Sequence, residues 1–137
     1  MGIETVAAEQ WLYSKLSGDA QLAAVVGTRV YGYRAPDGAA LPYVLYQNQA
    51  ARDVAGVGPA RIGSSLMYLV RVVGETTTFA ALQTAAARID AVLQGAAGTV
   101  PDGEVWGCGR EQPFVLVETN AGKQVRHLGG VYRVWAK

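Results

Sequence analysis

At 137 residues, half of them hydrophobic and 17% charged, the chain suits one domain with a buried core and excludes general disorder. Twelve basic against eleven acidic side chains leave a formal charge of +1, so avid non-specific DNA binding is not expected. A lone cysteine, Cys108, rules out an intramolecular disulfide framework and any multi-cysteine zinc site.

The elements follow from periodicity. Glu4 to Leu16 reads as a helix, because Ala8, Leu12 and Leu16 recur at spacing four with Trp11 beside them. The apolar stripe is broad, so this helix is expected to touch more than one neighbour. Ser17-Gly18 breaks it, Asp19 has N-cap character, and a short second helix runs from Ala20 to Val26 before Gly27. Arg29 to Tyr33 reads as a short strand, Pro36-Asp37-Gly38 as a turn, and Tyr43 to Gln49 as a second strand. Ala51 to Gly63 has no period and contains Gly56, Gly58, Pro59 and Gly63, so it reads as a long mobile loop, 51–63.

Ser64 to Gly74 is the strongest strand. One face carries Leu66, Tyr68, Val70 and Val72, and the other carries Met67, Leu69, Arg71 and Val73. Apolar residues on both faces imply either a central strand under two layers or a face packed by another subunit. Thr76 to Leu93 reads as one long helix, with Phe79, Leu82, Ala86, Ile89 and Leu93 in a stripe. A connector spans Ala96 to Gly103. Strands are then expected at Glu104–Glu111, Phe114–Thr119 and Gln124–Trp135, with a turn at Asn120-Ala121-Gly122 and a bulge at Gly129-Gly130. The expected fold is α+β: a mainly antiparallel sheet packed against a long helix and the N-terminal helices, in one domain over 1–137.

No apolar run reaches the ~18 residues of a membrane span. Met1-Gly2-Ile3-Glu4 opens neither a secretory signal nor a myristoylation site, since Val6 stands where that motif needs Ser or Thr. These features point to a soluble intracellular domain. Arg outnumbers Lys nine to three, but acids balance the bases and no basic block exists, so the arginines read as a GC-rich codon bias.

Little chemistry can be assembled. Gly58 to Ser65 approaches a phosphate-binding loop, but Ser64 occupies the lysine position and the segment leads into a strand rather than a helix. His127 is the only histidine and nothing places a nucleophile beside it, so it reads as a strand residue on a solvated or interface face. Cys108, on the alternation face of Trp106, reads as a small buried residue. Trp11, Trp106 and Trp135 lack the basic groove that base stacking needs and read as core or subunit contacts. No catalytic, cofactor-binding or metal site is expected.

The stretch from Leu16 to Tyr46 resembles the opening of the tail completion proteins of long-tailed phages, also called tail terminator or tail-to-head joining proteins. The matching features are Asp19, Leu22 and Val26 on a short helix, then Gly27-Thr28-Arg29-Val30-Tyr31, a loop, and Leu41-Pro42-Tyr43-Val44. Arg110-Glu111-Gln112-Pro113-Phe114, Glu118 and Gly129-Gly130-Val131-Tyr132-Arg133-Val134 resemble the family's closing hairpin. The resemblance implies a structural virion protein: a hexameric ring that caps the tail tube and forms the head-to-tail joining surface, at the neck end of the virion tail. It implies assembly in the host cytoplasm, contact with the tail tube protein and a head-completion or connector protein, and DNA passing through the ring without specific binding. It implies neither a reaction, nor a cofactor, nor a membrane.

A cyclic oligomer uses two different patches per subunit. On that basis Arg52, Asp53 and Arg61 of the loop, and Met67, Leu69 and Arg71 of the strong strand, are the expected subunit or partner contacts. A head-closure protein or minor tail component shares these features but would bind the portal side. A small enzyme or ligand-binding domain would need convergent polar groups that the sequence does not bring together.

Overall fold

A computed structural model describes residues 3–137; Met1 and Gly2, on which the reading of the N-terminus partly rests, lie outside them. The chain is mixed α/β, with three helices packed on one face of a curled six-stranded sheet. In chain order the elements are α1 (Ile3–Ser17), α2 (Ala20–Val26), β1 (Val30–Gly32), β2 (Tyr43–Ala55), β3 (Arg61–Glu75), a 3-10 turn (Phe79–Leu82), α3 (Gln83–Leu93), β4 (Gly98–Val100), β5 (Gly103–Asn120) and β6 (Lys123–Ala136). The sheet order is β1-β2-β3-β6-β5-β4. Only β1 runs parallel to its neighbour β2; the other pairings are antiparallel.

The α1 stripe is as broad as its spacing requires. Ala7, Ala8, Trp11, Leu12 and Leu16 are all buried, and α1 touches β5, β6, β1, β3, β4 and both other helices. α2 begins on Asp19, whose carboxylate accepts from the Leu22 amide at 2.9 Å, and ends on Gly27 at φ 62°. The same carboxylate is gripped by Arg88 of α3, with Nε at 3.1 Å and Nη2 at 2.8 Å. One side chain therefore caps α2 and ties it to α3. The core lies between these helices and the sheet face formed by Val44, Tyr46, Leu66, Tyr68, Val70, Val72, Tyr132 and Val134.

Four expectations are corrected. The long helix expected over Thr76–Leu93 is not formed. Thr76 Oγ1 accepts from the Thr78 amide at 3.3 Å and donates to the Thr78 carbonyl at 3.2 Å, a local turn that competes with helical pairing. Thr78 is extended, and the α-helix starts only at Gln83. The loop expected at 51–63 is largely strand. β2 continues to Ala55 and β3 starts at Arg61, with Arg52 opposite Ser65 and Val54 opposite Gly63. Only Gly56 to Ala60 remain as the hairpin tip. Apolar alternation is missing there because Ala51 to Asp53 and Ala55 stay exposed, and what this end of the hairpin meets on α1 is the Glu4 carboxylate, reached by Arg61.

The last two expected strands before the turn are one. β5 runs unbroken from Gly103 through Pro113 to Asn120. Proline is tolerated because β4 pairs only with Gly103 to Val105, leaving β5 an edge strand further on. The bulges lie in β5, between Val105 and Gly107 and between Arg110 and Gln112, while β6 pairs evenly with β3 through Gly129-Gly130. Gly129 is needed for close approach instead: a Cβ there would meet the Val70 carbonyl oxygen at 2.1 Å.

Because Arg88 and the Leu22 amide hold the Asp19 carboxyl below its usual value, its contribution is complete above about pH 5. It is lost as the pH falls below the unfolded value of about 4 and through the folded one. Asp19→Ala is expected to cost about 1 kcal/mol from the lost cap alone, read as a lower urea midpoint at pH 7. Parent and variant should converge as the pH approaches 2.

Candidate assembly surface

Among the described residues, no helix or further strand packs on the face of the sheet opposite the helices. β-register places Tyr43, Leu45 and Gln47 of β2, Met67, Leu69, Arg71 and Val73 of β3, His127, Val131 and Arg133 of β6, and Phe114 and Glu118 of β5 on this face. Leu45, Leu69, Val73 and Val131 are nevertheless buried. The cover comes from long polar side chains of the same face. Arg71 donates through Nε to His127 Nδ1 at 3.0 Å and through both Nη atoms to Gln47 Oε1 at 3.2–3.3 Å. Its guanidinium also sits 5.9 Å from the Phe114 ring centre. Arg133 pairs with Glu111, donates to Ser65 Oγ at 2.5 Å and reaches Met67 Sδ at 3.4 Å. The arginine stems lie on apolar side chains while their heads bind polar neighbours.

His127 belongs to this layer and is 6% exposed, which corrects the solvated alternative of its expected position. Accepting from Arg71 at Nδ1 leaves the neutral ring's proton on Nε2. That atom lies 2.7 Å from Glu118 Oε1 without hydrogen-bond alignment. Burial pulls the imidazole below its usual value, Arg71 adds to this, and Glu118 opposes both. A cleft of about 450 Å³ opens beside it, between residues 33–39 and the Glu118 carboxylate. The phosphate-loop-like stretch is a hairpin tip entering β3, as its context implied. Cys108 is buried, and burial pushes its thiol up to about 12, with Asp90 adding to it. Trp106 does not share its face. The bulge at Trp106 turns that ring outward, where it is 44% exposed beside the exposed Trp135. Among the described residues no group of three or more His, Cys, Asp and Glu could hold a metal ion.

The six expected contact residues fall on two faces: by register Arg52 lies beside Met67, Leu69 and Arg71 on the helix-free face, whereas Asp53 and Arg61 do not. Met67, Leu69 and Arg71 lie within the helix-free face and are occupied there by Arg133, the sheet and His127. Asp53 and Arg61 brace the β2–β3 hairpin next to its tip. Arg61 Nε lies 2.9 Å from Glu4 Oε1 of α1 and Nη1 lies 3.8 Å from Asp53 Oδ2, while Ser64 Oγ donates to Asp53 Oδ1 at 2.9 Å. Arg52 is exposed and, among the described residues, makes no ion pair or side-chain hydrogen bond. Sequence reasoning did not bring His127, Gln47, Arg133 and Glu118 together around Arg71. Period-two alternation of β5 and β6 around Arg71 was the available signal, but it could not reveal which strands are neighbours. It also missed the exposed Val57, Ile62, Val115, Leu116 and Val117 on the two hairpins.

Residues 10–136 match the family described as tail completion protein gp17. The fold is similar to a chain in the solved virion of a native gene transfer agent (GTA) particle, with 26% identity, a TM-score of 0.79 and 96% of each chain covered. No curated protein matches the chain. The chain belongs to the tail completion protein gp17 family, and its role is that of a structural component of a phage-type tail. Among the described residues no helix is long and apolar enough to cross a membrane.

Protonating His127 would place a proton on Nδ1 against the Arg71 N–H. Since the folded pKa is depressed, the unfolded chain binds more protons below about pH 6.5 and stability falls as the pH is lowered through that range. His127→Asn retains an acceptor for Arg71 but does not titrate. Urea unfolding between pH 7.5 and 5.5 should show a flatter stability profile for this variant than for the parent.

Proposed function

We propose that the chain caps the phage tail tube as a hexameric ring and presents the surface to which the head is joined. It acts as a structural part and not as an enzyme. The single observation that carries this reading is the match to the tail completion family over residues 10–136. The likeness to a virion chain over almost the full length agrees with it. Physical features fit a ring subunit. The helix-free face is largely covered by its own arginine, glutamine and histidine side chains, so it does not demand a partner. The two hairpins carry exposed apolar side chains, Val57 and Ile62 on one and Val115 to Val117 on the other. Apolar side chains at such distant places suit the two unlike patches of a cyclic oligomer.

The partners in this reading are further copies of the chain, the tail tube protein and a head-completion or connector protein, with DNA passing through the lumen unbound. A formal charge of +1 suits a conduit, because phosphate contacts would hold the genome in place. The location is the neck end of the tail, reached from the host cytoplasm.

Oligomeric mass in solution, alone and with purified tail tubes, tests the reading. Six copies per tube end are expected, with no comparable binding to portal complexes. A protein that binds portal complexes and ignores tubes is a head-closure component instead.

A further inference from the structure

The two ends of β3 carry complementary features. Before its first residue stands the β2–β3 tip, Gly56 to Ala60, closed by a hydrogen bond from the Gly56 amide to the Ala60 carbonyl at 2.9 Å. Gly58 there adopts φ 86°, Pro59 has its own φ fixed by its ring, and Val57 projects fully into solvent. The tip is a preformed apolar knob, so seating it costs less ordering entropy than seating a free loop. At the other end lies a recess of about 530 Å³, lined by Leu41 and Pro42 from the segment before β2, by Gly74, and by Ala81 and Leu82 of the 3-10 turn. Its floor is tight: a Cβ on Gly74 would meet Leu82 Cδ2 at 2.6 Å. Its volume lies within the roughly 300–1,000 Å³ typical of binding pockets.

The knob cannot reach the recess of its own chain. Thirteen residue steps of extended strand separate Arg61 from Gly74, a path of roughly 40 Å. The charges match as well. Arg52 stands four residues before the tip, about 13 Å along β2, and Glu75 stands at the rim of the recess. Among the described residues both are exposed and neither makes an ion pair or side-chain hydrogen bond. β3 pairs evenly from Ser64 to Glu75, which puts Ser65, the partner of Arg52, on the same face as Glu75.

We propose that the β2–β3 tip of one copy seats in this recess of a second copy, with Val57 on Leu41, Pro42 and Ala81, and Arg52 of the first copy paired with Glu75 of the second. The contact joins unlike patches head to tail and repeats from copy to copy, which is the arrangement that closes a ring. It rests on the ring reading and deepens it by naming the joint.

Disulfide trapping tests the contact. The doubly substituted chain, Val57→Cys with Ala81→Cys, is oxidised with glutathione disulfide at the concentration where the parent assembles, alone or on tail tubes. The native Cys108 is buried and does not compete. Covalent multimers rising to the full ring are expected, while a mixture of the two single variants should stop at dimers. A parent-sized assembly without cross-links, or Val57→Cys dimers alone, overturns the proposal and leaves the ring standing. If no assembly forms under any condition, the ring reading fails and takes this proposal with it. Arg52→Glu and Glu75→Arg should each weaken self-association roughly tenfold, and the double exchange should restore it. A double exchange no better than the single changes contradicts the pairing.

Discussion

The uninterrupted ladder between β3 and β6 is the constraint from which the remaining structure follows. Twelve consecutive residues, Ser64 to Glu75, face Ala136 to Val125 without a shift in register. One face of that ladder supplies Tyr68, Val70, Tyr132 and Val134 to the core under the helices. The other face must then bury Leu69, Val73 and Val131 with nothing packed on it. Arg71 and Arg133 resolve this from within the sheet. Their stems cover apolar surface and their guanidinium groups find His127, Gln47, Glu111 and Ser65. The cost of drawing two cations out of water is offset by specific hydrogen bonds on each.

The same ladder fixes where the outer strands end. β2 and β5 are longer than the partners on their outer sides, β1 and β4, which pair over only three residues each. Most of the outer edge of each is therefore left without a strand neighbour. Such edges invite pairing unless managed. Here β5 carries Pro113 and a bulge at Glu111, and the Arg110 amide is covered by the Gln94 side chain at 2.8 Å. These devices restrict where another chain can attach and leave the hairpin ends as the prominent apolar features.

The helices around Asp19 were legible because their signals are local: spacing four, an N-cap and a C-terminal glycine. The heart of β3 was legible because both its faces repeat with period two. The distal part of the β2–β3 hairpin was not, since a strand that buries neither face has no pattern to read. Thr76 to Thr78 misled for a related reason: a helical stripe begins there, but hydroxyl-to-backbone bonds hold the backbone extended. For the candidate surface, the sequence pointed to Arg71 as an anomaly on an apolar face. It could not show that His127 lies two strand positions away across the β3–β6 ladder, where it accepts a hydrogen bond from Arg71. Arg52 drew attention for its charge, and its freedom from partners became visible only once Asp53 and Arg61 were seen braced against α1.

Imaging tail tubes saturated with the protein addresses the central claim most directly. The account predicts a single six-fold layer at one end of each tube, with the residue 56–60 tip of every subunit resting against residues 41–42 and 81–82 of its neighbour. Density scattered along the tube wall, or a terminal layer whose subunits meet through the helix-free face while the tips point into solvent, would contradict it.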